Sequence, residues 1–451
     1  MTIATINRFI SLFSDAFANL SVQVPVADLE RLAMLIHHSM DHGRRTYHTS
    51  THVLDMCEGM NPRQVLAILF HDIVYYQLDD GYPKLADALL EPVVRVDRDI
   101  LEVRLIDGSD KGYTLCTGLF GFKAGQALPL YNGMNEFLSA VVATRTLEPY
   151  LPLKDIIAIV ACIEATIPFR MASAAGRDTL DVLADRVSAV SQALGLRLAA
   201  AEIDRMVTDA AVMANRDMAS FSEADPGRFL STTWLLIEES NAPLAAVGIY
   251  SIQEYRGALS RMEKFLGSLN SDSIFQSYRG TPGEVEFGVL RAAARRNVEF
   301  ACRYLRMKIV GIALVEALAL ATGGDCPVSM LLGDIRSPYG KPDRVEDFLP
   351  PVPTDEANLD TQLLEVLEKG RAIESASDLT DSPIAAFSYR SLGAEGAELA
   401  LEQAKKMFVG ELTARAFLGG QDREMVRALT RACARIALSR TDALLALGQS
   451  I

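Results

Sequence analysis

Apolar residues recur along this chain at intervals of three and four positions, the spacing of helices that bury one face. Between Ala27 and His42, the positions Leu29, Leu32, Ala33, Ile36 and Met40 share one stripe, and Gly43 stands where such a helix stops. The same period predicts helices at about 50–59, 62–77, 134–146, 153–166, 177–195, 199–220 and 226–239. It breaks between Pro92 and Leu130. There Val93-Val94, Val103-Arg104-Leu105 and Tyr113-Thr114-Leu115 are separated by Asp107-Gly108 and Lys111-Gly112, the pattern of a β-hairpin inserted among helices. A second helical block begins near Ser251. It includes a long helix from about Val285 to Thr322, closed by Thr322-Gly323-Gly324. Prolines 338, 342, 350, 351 and 353 mark a loop or linker, and Asn358 to Ile451 reads as three or four more helices. The expected fold is mainly α, with the chain parted at 1–245 (insertion at about 92–130), 246–337, 338–357 and 358–451.

Composition narrows the function. Of 451 residues 49% are hydrophobic and 23% charged, which permits a sizeable core and excludes a disordered chain. With 44 Lys and Arg against 58 Asp and Glu, the net charge of −14 makes nucleic-acid backbone and anionic membrane poor partners. Any phosphate has to be held by a local device, a metal or an arginine pair. The six cysteines, at 57, 116, 162, 302, 326 and 433, show no C-x-x-C spacing and read as buried thiols of a reducing compartment. Met1 to Leu20 reads as a surface helix, since it carries Arg8 and Asp15 and lacks a basic start and a cleavage site. Ile309 to Ala321 is too short to span a bilayer. A cytoplasmic protein is expected.

All six histidines fall at 37, 38, 42, 48, 52 and 71. The first three lie in the last turns of a predicted helix, where an imidazolium favours the negative end of the dipole. His48 and His52 differ. On a helix, His48, His52 and Asp55 share one face, offering a metal ligand, an acid/base group and an orienting carboxylate. Further on, Val65 to Tyr76 is apolar on nearly all sides and carries His71-Asp72 in its middle. A carboxylate buried there costs several kcal/mol (~2–5) unless a cation or several donors compensate it. A divalent metal is the simplest compensation.

Tyr47-His48-x-x-x-His52 followed by His71-Asp72 resembles the HD-domain metal-dependent phosphohydrolase superfamily, whose ligands run H…HD…D. The first motif is also similar to the cyclic-nucleotide phosphodiesterase signature within it. The resemblance covers about residues 28–240 and implies a helical HD domain. In it His48 is the general acid that protonates the leaving oxygen, and His52, His71 and Asp72 are metal ligands. The closing ligand falls on Ala214-Asn215-Arg216-Asp217, with Asp217 preferred and Asp209, two turns earlier, as competitor. Glu136, in Asn135-Glu136 before Ser139-Ala140, takes a position beside the metal's water, and Asp55 that of a carboxylate holding His48. Two features depart from the pattern: the insertion before Asn135, and the lack of further histidines in Thr166-Ile167-Pro168-Phe169.

The activity implied is hydrolysis of a small phosphorylated substrate, a nucleotide or cyclic-nucleotide phosphodiester first and a phosphomonoester second. Two imidazoles and two carboxylates suit Mn, Fe, Zn, Co or Ni, with Mg at a second, water-rich position. Two other classes compete. An HD-fold di-iron oxygenase uses histidines beyond the HD pair, and none follows position 71. A non-catalytic metal- or nucleotide-binding regulatory protein keeps the C-terminal half in view. That half offers a helix bearing Arg291, Arg295, Arg296, Arg303, Arg306 and Lys308, read as a salt-bridge ladder over Arg295, Glu299 and Arg303. Thr322-Gly323-Gly324-Asp325 reads as a helix stop and Trp234 as core. The apolar helices there allow a homodimer surface.

Overall fold

The structure, a computed structural model, describes residues 3–41, 43–97, 100–105, 108–130, 132–171, 176–335, 340, 342–352, 358–375 and 377–451. His42, Asp107 and much of the 338–357 segment therefore lie outside the described residues. The chain is mainly α with one two-stranded antiparallel hairpin. It forms two compact units, 1–222 with 270–294, and 223–269 with 295–451. The boundaries expected at 245, 337 and 357 do not coincide with this division.

The first unit is built on helices α1 (Thr5–Asn19), α2 (Val26–Met40), α3 (Ser50–Met56), α4 (Pro62–His71), α5 (Asp87–Leu90), α6 (Lys111–Phe120), α7 (Met134–Leu147), α8 (Leu153–Ala165), α9 (Thr179–Ala193) and α10 (Ala200–Asp217). Every side chain of α8 from Asp155 to Ala165 is buried, as expected of a helix apolar on all sides. Helices α4, α6, α7, α9 and α10 pack around it. Helix α4 starts at a capping box: the Asn61 side chain accepts from the Arg63 and Gln64 amides, Gln64 accepts from the Asn61 amide, and Pro62 opens the first turn. Residues 270–294 return to this unit. Asn215 and Gln276 exchange side-chain and backbone hydrogen bonds at 2.7 and 2.8 Å, and the Tyr278 hydroxyl donates to Asp204 at 2.8 Å.

Three local expectations are corrected. The predicted helix 62–77 ends at His71, because tertiary contacts capture the backbone beyond it. The Val74 amide donates to buried Ser139 Oγ and the Tyr76 amide to Asn135 Oδ1, both at 3.1 Å. The hairpin pairs β1 (Val94–Asp97) with β2 (Ile100–Val103), Val94 opposite Val103. Tyr113-Thr114-Leu115 is helical, part of α6, since the Asp110 carboxylate accepts from the Tyr113 amide and starts a helix there. Finally, α3 starts at Ser50 with Thr49 extended before it, so His48 precedes the helix and does not share a helical face with His52 and Asp55.

The second unit contains α11 (Pro226–Glu239), α12 (Ile252–Ser268), most of α13 (Glu284–Thr322), α14 (Val328–Leu332), α15 (Thr361–Lys369), α16 (Pro383–Phe408, interrupted at Gly393), α17 (Ala414–Gly419), α18 (Arg423–Ile436) and α19 (Thr441–Ser450). Two arginines of α13 reach other segments. Arg306 meets Glu263 at 2.7 Å and Arg303 meets Asp360. At its C-terminus Arg440 donates to the Ala319 and Gly324 carbonyls, and Gly324 has φ 100°, so Thr322-Gly323-Gly324 is a helix stop. Trp234 is buried in the core, edge-on to Tyr304. All six cysteines are free and buried, and among the described residues no helix is long and apolar enough to cross a membrane.

Candidate metal centre

Helices α4 and α10 run in the same direction and end together. Near the start of α4 Gln64 donates to the carbonyl of Asp209, midway along α10, at 2.8 Å; at the helix ends His71 Nε2 lies 3.7 Å from Asp217 Oδ1. His71 and Asp217 are the last residues of their helices, so two negative dipole ends converge where the side chains meet. Such a place favours a cation.

His52 on α3 completes the approach. It lies on the first turn of that helix, and Arg216 ties the end of α3 to α10 by donating to the Glu58 carbonyl at 2.7 Å. His52 Nε2 stands 3.1 Å from Asp217 Oδ1 and 4.0 Å from Asp72 Oδ2. His71 Nε2 stands 3.0 Å from Asp72 Oδ2. One ligand atom from each of His52, His71 and Asp72 lies within 4.8 Å of the others, a group able to hold a metal ion.

The donor set bears the marks of a cation site. His71 is 1% exposed, and its Nδ1–H donates to the Ile68 carbonyl at 2.7 Å, which turns Nε2 and its lone pair toward the carboxylates. His71 Nε2 and Asp72 Oδ2 are both buried without a properly aligned hydrogen bond among the described residues. Electrostatics agree. Burial lowers the proton affinity of His71, but Asp72 and Asp217 outweigh it and hold its pKa well above the usual imidazole value. Burial likewise raises Asp72, yet His71, His48 and His52 pull its carboxyl far below the carboxylate range. Asp217, also raised by burial, is brought down to about 2 by His52 and His71.

Around this cluster the other expected residues fall into two groups. His48, in the bend before α3, is half-buried, its ring 4.8 Å from that of Tyr75 and 6.2 Å from that of His52. Glu136, in the first turn of α7, feels both Asp72 and Asp217. Burial is the main cause that pushes its carboxyl up to about 7; the two carboxylates add to it, while its own amide and Arg170 oppose. Asp55 and Asp209 stand apart. Asp55 is on the exposed side of α3, because the face bearing Val53, Leu54 and Met56 is the buried one. The Asp209 side chain lies by Asn61 at the start of α4, the opposite end of the helix from His71.

Four supporting residues were given no role in the sequence reading. Arg45 is fully buried; it grips Asp79 through two bonds of 3.0 and 2.6 Å and donates to the Asp72 carbonyl at 2.7 Å, fixing the turn after α4. Its one sequence signal is the pair Arg44-Arg45 just before Tyr47-His48. Ser139 and Asn135, one turn apart on α7, hold the segment behind Asp72. Asn215 locks the last turn of α10. No family model, no curated protein and no solved structure matches the chain.

Proposed function

We propose that the first unit is a metal-dependent phosphohydrolase, with a nucleotide or cyclic-nucleotide phosphodiester as the preferred substrate class. One observation carries the reading: His71 Nε2 and Asp72 Oδ2 lie 3.0 Å apart, buried and without a well-aligned hydrogen bond among the described residues, where His52 and Asp217 also converge. At that separation two acceptors repel unless a proton or a metal ion lies between them. His52, His71, Asp72 and Asp217 would hold the ion, a set suited to Mn, Fe, Zn, Co or Ni. When bound, the metal supplies an acidified water and neutralises charge on phosphoryl oxygens.

The rest of the work belongs to the side chains. His48 is close enough to contribute to the field at Asp72, yet half-exposed, so its imidazole can give a proton to a departing alkoxide and regain it from solvent. Glu136, with its carboxyl at about 7, is poised to take a proton near neutral pH. Arg170, bound to buried Glu164 at 2.6 Å and close enough to influence Glu136, places a positive charge near the site in an otherwise acidic protein.

The test is metal content combined with hydrolysis of a panel of phosphodiesters and nucleotides. His48→Gln is expected to keep the metal and lose about 10²–10⁴-fold in turnover. A metal-loaded protein inert toward the whole panel sinks the proposal. Titration calorimetry with Mn²⁺ separates the competing aspartates. Asp217→Asn is expected to weaken binding at least ~10-fold, and Asp209→Asn to leave it unchanged.

A further inference from the structure

The second unit holds a cavity of about 70 Å³ that the phosphohydrolase reading leaves unused. Its wall takes residues from α12, α13, α14 and α16 and from the segments around 345 and 380. Its polar lining carries groups of both signs.

One group of lining residues supplies donors. Lys308, 7% exposed, donates to Asp378 Oδ2 at 2.6 Å and to Ser382 Oγ at 2.9 Å, which leaves one of its three N–H bonds. The Tyr255 hydroxyl on the same wall is buried beside Asp378 without a well-formed hydrogen bond among the described residues. Behind them Arg371, which does not line the cavity, stacks on Trp234 at 3.9 Å, donates to the Leu379 carbonyl at 2.6 Å and leaves Nε without a partner among the described residues. Lys308 and Arg371 thus share the Asp378 carboxylate. An unmet buried donor is costly, so an acceptor is favoured beside Lys308 and Tyr255.

Two further lining residues are acidic. Glu346 pairs with Arg344 and leaves Oε2 buried without a partner among the described residues, and half-buried Asp381 adds a second carboxylate. The remaining wall is aliphatic, with Ile312, Val315, Val328 and Leu332. We infer that this cavity binds a small aliphatic aminocarboxylate. Its carboxylate lies toward Lys308 and Tyr255, its ammonium toward Glu346 and Asp381, and its side chain against the aliphatic wall. A simple carboxylate leaves Glu346 and Asp381 uncompensated. Inorganic phosphate has nothing to offer the aliphatic surface. At ~10–15 Å³ per small group, the volume takes roughly five to seven non-hydrogen atoms, the scale of alanine (about six), with valine (about eight) at its upper edge.

The chain has one tryptophan, and Lys308 Nζ lies 5.2 Å from the Trp234 ring, so intrinsic fluorescence reports on this site. The experiment titrates the full chain with alanine and valine, and with 3-methylbutanoate, isobutylamine and inorganic phosphate. Valine is expected to give a saturable change, with both truncated analogues at least about tenfold weaker and phosphate inactive. Val315→Phe, which fills the cavity with an apolar ring, is expected to keep its melting temperature and lose the response. Tyr255→Phe is expected to weaken it about tenfold. Absence of saturation with both amino acids, an equal response to a truncated analogue or to phosphate, or undiminished binding by Val315→Phe overturns the inference.

Discussion

His71→Ala is expected to lose divalent-metal binding and phosphoester hydrolysis together, the largest functional effect of any single change in the first unit. The imidazole has no substitute in its place. His71 Nε2 lies 3.0 Å from Asp72 and 3.7 Å from Asp217, and its orientation is fixed by the bond to Ile68. Its removal also leaves two buried carboxylates facing each other with only His52 between them and full repulsion. Metal-dependent stabilisation gives a reading that does not depend on guessing the substrate. A ligand present at 100 times its Kd stabilises the folded state by ~2.7 kcal/mol. Wild-type protein is therefore expected to melt higher when Mn²⁺ or Zn²⁺ is added, and His71→Ala protein to melt at the same temperature with and without it. Hydrolysis retained by His71→Ala sinks the catalytic reading; an unchanged metal shift sinks the ligand assignment alone.

Much of the helical framework was legible because burial of one helical face leaves a period in the sequence. The predicted 134–146, 153–166 and 226–239 match α7, α8 and α11 to within one residue at each end. The ends of elements near the site were less legible, for a physical reason. The apolar run from Val65 to Tyr76 gives no sign that its helix stops at His71, because the stop is imposed by Ser139 and Asn135, more than 55 residues away. In the same way His48, His52 and Asp55 have a helical spacing, but Thr49 starts the helix after His48 and turns Asp55 to solvent. Tyr113-Thr114-Leu115 has strand composition, and the Asp110 cap decides for helix. The meeting of His52 and Asp217 spans 165 positions, and no local period encodes it; the motif resemblance is what singled out both residues.

That difference extends to the second unit, where no motif guided the reading and the chemistry appears only in three dimensions. Lys308 sits on α13, Arg371 and Asp378 flank the loop after α15, and Tyr255 is on α12, separated by up to 123 positions. In sequence each is an ordinary polar residue. In the structure they form a buried ionic group over the ring of Trp234, with Lys308 at 5.2 Å and Arg371 at 3.9 Å.

Asp378→Ala is expected to destabilise the protein by about 3–5 kcal/mol, the cost of leaving buried cations without their carboxylate. Lys308 would keep only Ser382 and Arg371 only the Leu379 carbonyl and the Tyr304 hydroxyl, neither of which carries charge. Replacing Asp378 by leucine together with Arg371 by methionine removes partners from both sides and is expected to cost less than Asp378→Ala. The acid limb of the stability curve gives an independent check. Burial raises the Asp378 pKa, but Lys308 and Arg371 outweigh it and hold it below the ordinary value. A carboxylate with a depressed folded pKa contributes its full stabilisation above the unfolded value, ~3.9, and loses it as pH falls through the folded one. Wild-type protein should therefore lose this contribution only at strongly acid pH, and Asp378→Ala should lack that part of the acid dependence. Urea unfolding followed by Trp234 emission at neutral pH and below pH 4 measures both quantities. Equal stability of Asp378→Ala and wild type at neutral pH would mean that water already solvates Lys308 and Arg371, and that the ionic group is not the interior feature described above.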